Sequence, residues 1–192
     1  MNEQDLRPWL IRMSQGEEEA LHVVFEATRA HTYRMVYFLA ANKQDTDDIV
    51  SEVYMELIRC MSKYNQEQPF MPWFNGIIVR QVRNWKRRIW RSLRLMERVK
   101  SAEQLVASPY MEDPFDGIHG GQELLPLVNH LSQKLREVIV LRYYQDYTLE
   151  AIAQLLNIPL GTVKSRHRLA LEKLRHHVSH TMKERGESTY VH

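Results

Sequence analysis

The chain reads as an all-α protein: two small helical domains joined by a flexible acidic linker. Three observations predict this. Apolar residues recur at three- and four-residue steps along most of the 192 residues. Only 7 Gly and 7 Pro are present, and few segments alternate apolar with polar as strands do. The helical periodicity fades for one long stretch, near 101–121, where Ser108-Pro109, Asp113-Pro114, Asp116-Gly117 and Gly120-Gly121 are breakers. A structureless run of that length does not suit the inside of one compact domain, so it reads as a linker. The boundaries expected are 1–100, 101–121, 122–180, and a polar tail over 181–192.

The elements follow in order. Residues 5–40 read as helix broken near Ser14-Gln15-Gly16, with Leu21, Val24, Phe25, Thr28, Tyr33, Val36 and Tyr37 at helical spacing. A second helix starts between Asp45 and Asp48 and runs to about Met61. Its acidic first turn suits the positive end of the helix dipole. Ile49, Val50, Val53, Tyr54, Leu57, Ile58 and Met61 are its expected buried stripe. The loop from Lys63 ends near Pro69, and Pro72 suits the first position of the next helix. That helix turns Trp73, Ile77, Ile78, Val82, Trp85 and Ile89 inward and its basic residues outward. After the linker, helix resumes near Glu123, with Leu127, Leu131, Leu135, Val138 and Ile139 on one side, and ends near Tyr144-Gln145-Asp146.

Thr148 to Arg175 is the most specific stretch. Thr148 is a good N-cap, and Leu149, Ile152, Ala153 and Leu156 form an apolar face. Asn157-Ile158-Pro159-Leu160-Gly161 breaks the period and supplies turn chemistry. A basic helix then begins with Thr162, Val163, Lys164, Ser165, Arg166 and Arg168. This is a helix-turn-helix pattern, which places one helix in a DNA major groove. An ordinary helical hairpin with a solvated basic face is the alternative that this stretch alone leaves open.

The net charge of +2 hides segregation. Residues 80–100 carry nine basic residues (Arg80, Arg83, Lys86, Arg87, Arg88, Arg91, Arg94, Arg98, Lys100) against Glu97 alone. Residues 101–130 carry five acids and no Lys or Arg, and 161–185 carry seven basic residues against two acids. Residues 41–56 set Lys43 against Asp45, Asp47, Asp48, Glu52 and Glu56. Basic blocks attract phosphates by counterion release, and acidic blocks attract basic protein surfaces. No apolar run approaches the ~20 residues that a membrane-spanning helix needs. The polar N-terminus lacks a signal-peptide pattern. One cysteine, Cys60, provides no disulfide framework. There is no phosphate-cradling glycine loop, His-Glu-x-x-His or paired-Cys metal spacing, so no catalytic centre, metal or cofactor is expected.

Asp45-Thr46-Asp47-Asp48-Ile49-Val50-Ser51-Glu52-Val53, Pro72-Trp73-Phe74 and Arg83-Asn84-Trp85-Lys86-Arg87-Arg88 occur in the order of region 2 of sigma-70-type factors. Leu135-Arg136-Glu137-Val138, Leu141-Arg142-Tyr143-Tyr144, Ile152-Ala153 and Gly161-Thr162-Val163-Lys164-Ser165-Arg166 resemble region 4. Over roughly 17–178 the chain resembles a small sigma factor of the extracytoplasmic-function group. The resemblance implies a region 2 helical bundle and a region 4 helix-turn-helix in a non-catalytic, promoter-selecting subunit of bacterial RNA polymerase, cytoplasmic and nucleoid-associated. Its implied partners are the polymerase core (β′ clamp helices, β flap), promoter DNA and an anti-sigma factor, which in this group is often membrane-bound. It assigns Asp45, Asp48, Glu52 and Glu56 to core binding. Tyr64, Asn65, Arg80, Arg83, Asn84, Arg87, Arg88 and Arg91 fall to the −10 element, and Thr162, Lys164, Ser165, Arg166 and Arg168 to the −35 element. The acidic linker resembles the segment that threads the polymerase's RNA path. Arg80 and Gly76 stand where many members carry Asn and Arg, and Leu169 stands where many carry Arg, with Arg168 one position away. A stand-alone helix-turn-helix regulator is the competing class, and an adaptor that binds polymerase but not DNA is a third.

Overall fold

The computed structural model describes residues 3–40, 42–97 and 128–187. Among them are seven α-helices: α1 Glu3–Ser14, α2 Glu18–Leu39, α3 Thr46–Cys60, α4 Phe70–Glu97, α5 Gln133–Tyr143, α6 Leu149–Leu156 and α7 Leu160–Glu187. The expected break near Gly16 is present. Gly16 takes φ +88, a left-handed conformation open to glycine, and Arg12 closes the turn by pairing with Glu17 at 2.7 Å and Glu19 at 3.0 Å.

Helical spacing builds the front bundle, α1–α4. Ile49, Val53 and Leu57 of α3 and Phe74, Ile77, Ile78 and Val82 of α4 are all buried, so each helix turns one stripe inward. Each such side chain contributes about 1.5–3 kcal/mol relative to exposure. Tyr54 enters the same core, where its hydroxyl meets Thr28 Oγ1 at 2.9 Å and Thr32 Oγ1 at 3.0 Å. The polar tip of a buried ring is thereby satisfied.

The rear helices form the predicted helix-turn-helix. Thr148 Oγ1 accepts from the Ala151 amide at 3.1 Å. Asn157 ends α6 in the left-handed region at φ 51, and the Ile158 amide returns to the Ala153 carbonyl at 3.0 Å. Ile152, Leu156, Val163 and Ala170 are buried and fix α6 against α7.

Several expectations are corrected. Ile58 is 47% exposed instead of lying in the buried stripe. The helix expected to run unbroken to Tyr144 is interrupted: Val128 and Asn129 are helical, Ser132 is extended (φ −61, ψ 153), and α5 starts afresh at Gln133, while the expected start near Glu123 lies outside the described residues. α7 continues past Thr181 to Glu187, where a tail was expected. The linker over 101–121 lies outside the described residues, as do 188–192.

Front and rear share one continuous core. Leu135 to Leu141 are all buried, so α5 is enclosed on every side instead of presenting one apolar face. Its rear side packs into the helix-turn-helix. Its front side meets α2 and α4 through a polar seam. Arg136 donates to the Ala40 carbonyl at 2.7 Å, to Leu39 at 3.4 Å, and to its own neighbours Val128, Asn129 and Leu131. Asn75, fully buried, donates to Tyr147 Oη at 2.8 Å and Gln145 at 3.3 Å, and its amide oxygen meets His31 Nε2 at 2.7 Å. Phe38 and Tyr144 pack ring on ring at 4.8 Å.

Candidate nucleic-acid interface

Three surfaces gather the predicted site residues. The first is the outer face of α3. Asp48 is exposed in the first turn, and one turn on, Glu52 accepts from both Nη atoms of Arg88 at 3.0 Å. Glu56 pairs with Arg59 at 3.6 Å and accepts from Cys60 Sγ at 3.1 Å. Burial, with the Glu56 carboxylate beside it, pushes the Cys60 thiol up from its ordinary range. Asp45 is half-buried and accepts from Asn42 at 3.2 Å. Beyond the acids on this strip, Met55 is 52% and Ile58 47% exposed. An acidic turn followed by exposed apolar side chains is the composition of a protein-docking face. Sequence reasoning missed both apolar members.

The second surface is α4. Arg80, Asn84, Arg87, Arg88 and Arg91 are exposed along it. Arg87 Nη2 donates to Asn84 Oδ1 at 2.6 Å, and the Arg88 guanidinium lies 4.4 Å over the Trp85 ring. Between α3 and α4 a groove of about 280 Å³ is lined by Glu52, Gln81, Asn84, Trp85, Arg88 and Arg91. Trp85 Nε1 is buried there without a hydrogen-bond partner among the described residues. Trp90, one turn further, is 56% exposed and offers a flat ring beside Arg91; the sequence reading passed over it. Arg83 differs from its row. It is half-buried and donates from Nε to Glu137 Oε1 at 2.8 Å and from Nη2 to the other oxygen. That carboxylate holds the Arg83 guanidinium above its ordinary range, the hydrogen bond outweighing desolvation.

The loop before α4 is built on itself. Tyr64 packs on Trp73 at 4.6 Å and donates its hydroxyl to the Gln68 carbonyl at 2.5 Å. Asn65 Oδ1 accepts from the Glu67 amide at 3.0 Å, closing an Asx turn, and Asn65 remains exposed.

The third surface is the start of α7. Val163 is fully buried and fixes the helix, which leaves Lys164, Ser165 and Arg168 exposed and Thr162 and Arg166 half-buried. Ser165 Oγ returns to the Thr162 carbonyl at 3.0 Å. Leu169 adds a 44% exposed apolar side chain to this face.

These surfaces give a helical protein an acidic-apolar strip on α3, a cationic-aromatic face on α4 and an exposed basic start to the second helix of a helix-turn-helix. The Sigma-70 region 2 family profile matches residues 24–92 and that of Sigma-70, region 4 matches residues 127–176. The chain belongs to the sigma-70 family, the two profiles together matching more than half of it. It is 23% identical over 171 residues to the ECF RNA polymerase sigma factor SigW of Bacillus subtilis, covering 85% of this chain and 91% of that one. It is 25% identical over 177 residues to the ECF RNA polymerase sigma factor SigE of Mycolicibacterium smegmatis, covering 90% and 68%. Its fold is similar to that of the sigma factor RpoE of Bartonella quintana, solved with the anti-sigma factor NepR. The TM-score is 0.68 at 17% identity, over 82% of this chain and 96% of that one. No helix among the described residues is long and apolar enough to cross a membrane.

Proposed function

We propose that the chain is an alternative sigma factor that binds bacterial RNA polymerase core and directs promoter-specific initiation, with no catalytic activity of its own. The observation that carries this is the coexistence of the acidic-apolar strip of α3 with two separate cationic surfaces. A stand-alone regulator needs only the helix-turn-helix. An adaptor needs only the strip.

Asp48 and Glu52, with Met55 and Ile58 beside them, form the face for the polymerase clamp, and Asp45 and Glu56 flank it. Basic side chains of the clamp would meet the acids, and apolar ones would cover Met55 and Ile58. The Glu52–Arg88 pair is exposed and contributes less than about 1 kcal/mol, so it exchanges readily for such partners. Arg80, Arg87, Arg88 and Arg91 hold backbone phosphates of the −10 strand, with Arg83 joining when it is free. Trp90 and Tyr64 offer rings to unstacked bases, and Asn65 and Asn84 polar groups. Lys164 and Arg166 read base edges in the −35 major groove, while Thr162, Ser165 and Arg168 contact its phosphates. Residues 1–100 and 122–180 serve as the −10 and −35 domains, the acidic 101–121 connecting them in the polymerase's RNA path. The β flap receives the rear domain. An anti-sigma factor controls the whole, and the protein acts in the cytoplasm at the nucleoid.

The test is reconstitution. The full chain added to core polymerase should give transcripts with discrete starts from host genomic fragments. Failure to bind core polymerase refutes the proposal. Tight dimeric binding to duplex DNA without polymerase would establish the regulator instead.

A further inference from the structure

Two cations meet at the end of α2 with no anion between them. Lys43, in the turn between α2 and α3, donates from Nζ to the carbonyls of Tyr37 and, at 3.2 Å, Ala40. Arg136 donates from Nη1 to that same Ala40 carbonyl at 2.7 Å. The Tyr37 ring closes one side, its centroid 4.7 Å from Lys43 Nζ. Neither cation pairs with a carboxylate among the described residues, and Asp45, two positions after Lys43, accepts from Asn42 instead. A charge held out of water without a counter-charge is costly. The lysine is the group that can relieve it, because an arginine keeps its proton. Burial, with the Arg136 charge as the smaller cause, lowers the Lys43 pKa to about 7. Above that pH the amine is mostly neutral, whereas an ordinary lysine is neutral only to about 0.1% at pH 7.5. A neutral amine has two N–H bonds and one lone pair. Here the two carbonyls take the two N–H bonds, which leaves the lone pair as a nucleophile.

We propose that Lys43 is a carbon dioxide site: its amine takes up CO2 as a carbamate, and the new carboxylate pairs with Arg136. The Nζ lone pair attacks the carbon of CO2 and forms the C–N bond, while one C–O π pair moves onto oxygen. The nitrogen then releases one proton to water. A neutral amine and CO2 thus become a carbamate of charge −1 and one H+, with nothing oxidised or reduced. The remaining N–H keeps the Tyr37 carbonyl, and the Ala40 carbonyl keeps Arg136 as its donor. The cluster gains the anion it lacks, in charge-assisted contact with the guanidinium. In the unfolded chain Lys43 is an ordinary protonated lysine, so CO2 is taken up by the folded chain and stabilises it by mass action. The site uses no residue of the three surfaces described above.

The test equilibrates the full chain with bicarbonate labelled with carbon-13 at pH 7.5, against chloride of equal ionic strength. Carbamates are trapped as ethyl esters with triethyloxonium ion before proteolysis and mass spectrometry. The α-amino group, which also titrates near neutral pH, is the labelling control. An ethyl carbamate is expected on the peptide carrying Lys43, at several times the yield on any other lysine. At constant pH the midpoint temperature should rise by about 2–4 °C in bicarbonate. Lys43→Arg keeps a cation but has no neutral amine, and should show neither adduct nor rise. Arg136→Met should cut the Lys43 adduct severalfold; if it folds poorly by circular dichroism, Arg136→Gln removes the charge and serves the same test. A labelled α-amino group beside an unlabelled Lys43 would overturn the proposal. So would an equal rise in Lys43→Arg, or an adduct whose yield is unchanged without the Arg136 guanidinium.

Discussion

Replacing Arg136 with Met should cost about 2 kcal/mol of stability. Arg136 is 5% exposed and donates to five backbone carbonyls, with no carboxylate partner among the described residues. Burial lowers its pKa from the ordinary range, but no arginine loses its proton at neutral pH. Two of the five carbonyls keep another donor when it is gone: Val128 accepts from the Leu131 amide at 3.0 Å, and Ala40 from Lys43 at 3.2 Å. The buried carbonyls of Leu39 and Leu131 are left without it, whereas that of Asn129, on an exposed residue, turns to water. Each orphaned buried acceptor costs about 1–3 kcal/mol. Relief of burying an unpaired cation offsets part of that, so the low end, about 1 kcal/mol each, is the working figure. For a chain of this size about 2 kcal/mol lowers the midpoint temperature by about 4–8 °C. Urea titration followed by circular dichroism at 222 nm measures it. Arg136→Lys, with three donors, should fall between wild type and Arg136→Met. A loss under about 1 kcal/mol, or a gain, would refute the carbonyl-hub account and show that burying the charge costs more than its hydrogen bonds return.

Three further outcomes are expected. Lys43, buried against Tyr37 and facing the Arg136 charge, has a pKa lowered from 10.5 to about 7, burial being the larger cause. The unfolded chain therefore binds more protons between those values, so this group makes stability rise with pH from about 7 to 10.5, by at most about 1.4 kcal/mol per unit. Thermal melts between pH 6.5 and 9.5 should show this rise in wild type relative to Lys43→Met; parallel curves would contradict it. Ile58→Glu, on a side chain already 47% exposed, should leave the midpoint temperature within about 2 °C and weaken core-polymerase binding about tenfold. Fluorescence anisotropy against labelled core reads this, and unchanged affinity would remove Ile58 from the docking face. Lys164→Ala with Arg166→Ala should leave core binding intact and cut transcription at least tenfold from promoters that require a −35 element, measured by multi-round assays. Equal transcription would take those residues out of base reading.

The helix-turn-helix was legible because its signals are local. Thr148 as cap and the 149-152-153-156 face act within a few residues and appear as expected, and the turn is Asn157 to Pro159, shorter than read, because Leu160 and Gly161 already open α7. The acidic first turn of α3 was legible for the same reason. Ile58 was misplaced because it follows Leu57, and a stripe read from spacing has no fixed edge: one step of 100° carries a side chain from core to solvent. α5 was read as one-faced because Leu135, Val138 and Ile139 satisfy a helical period. The continuous run Val138-Ile139-Val140-Leu141 was the sign of burial on all sides. Ser132 was an unused start signal for that helix. The Arg83–Glu137 pair joins residues 54 apart in sequence, and no periodicity reports such a partnership. The basic block was therefore visible, but not that one of its members is already engaged.

Footprinting on a promoter mapped by the reconstituted holoenzyme tests the account most directly. Two separate protected segments are expected, near −35 and −10, with permanganate-reactive thymines only at the downstream one. Lys164→Ala with Arg166→Ala should erase the upstream segment alone. One continuous block of duplex protection, produced by the free chain with no polymerase present, would contradict the account.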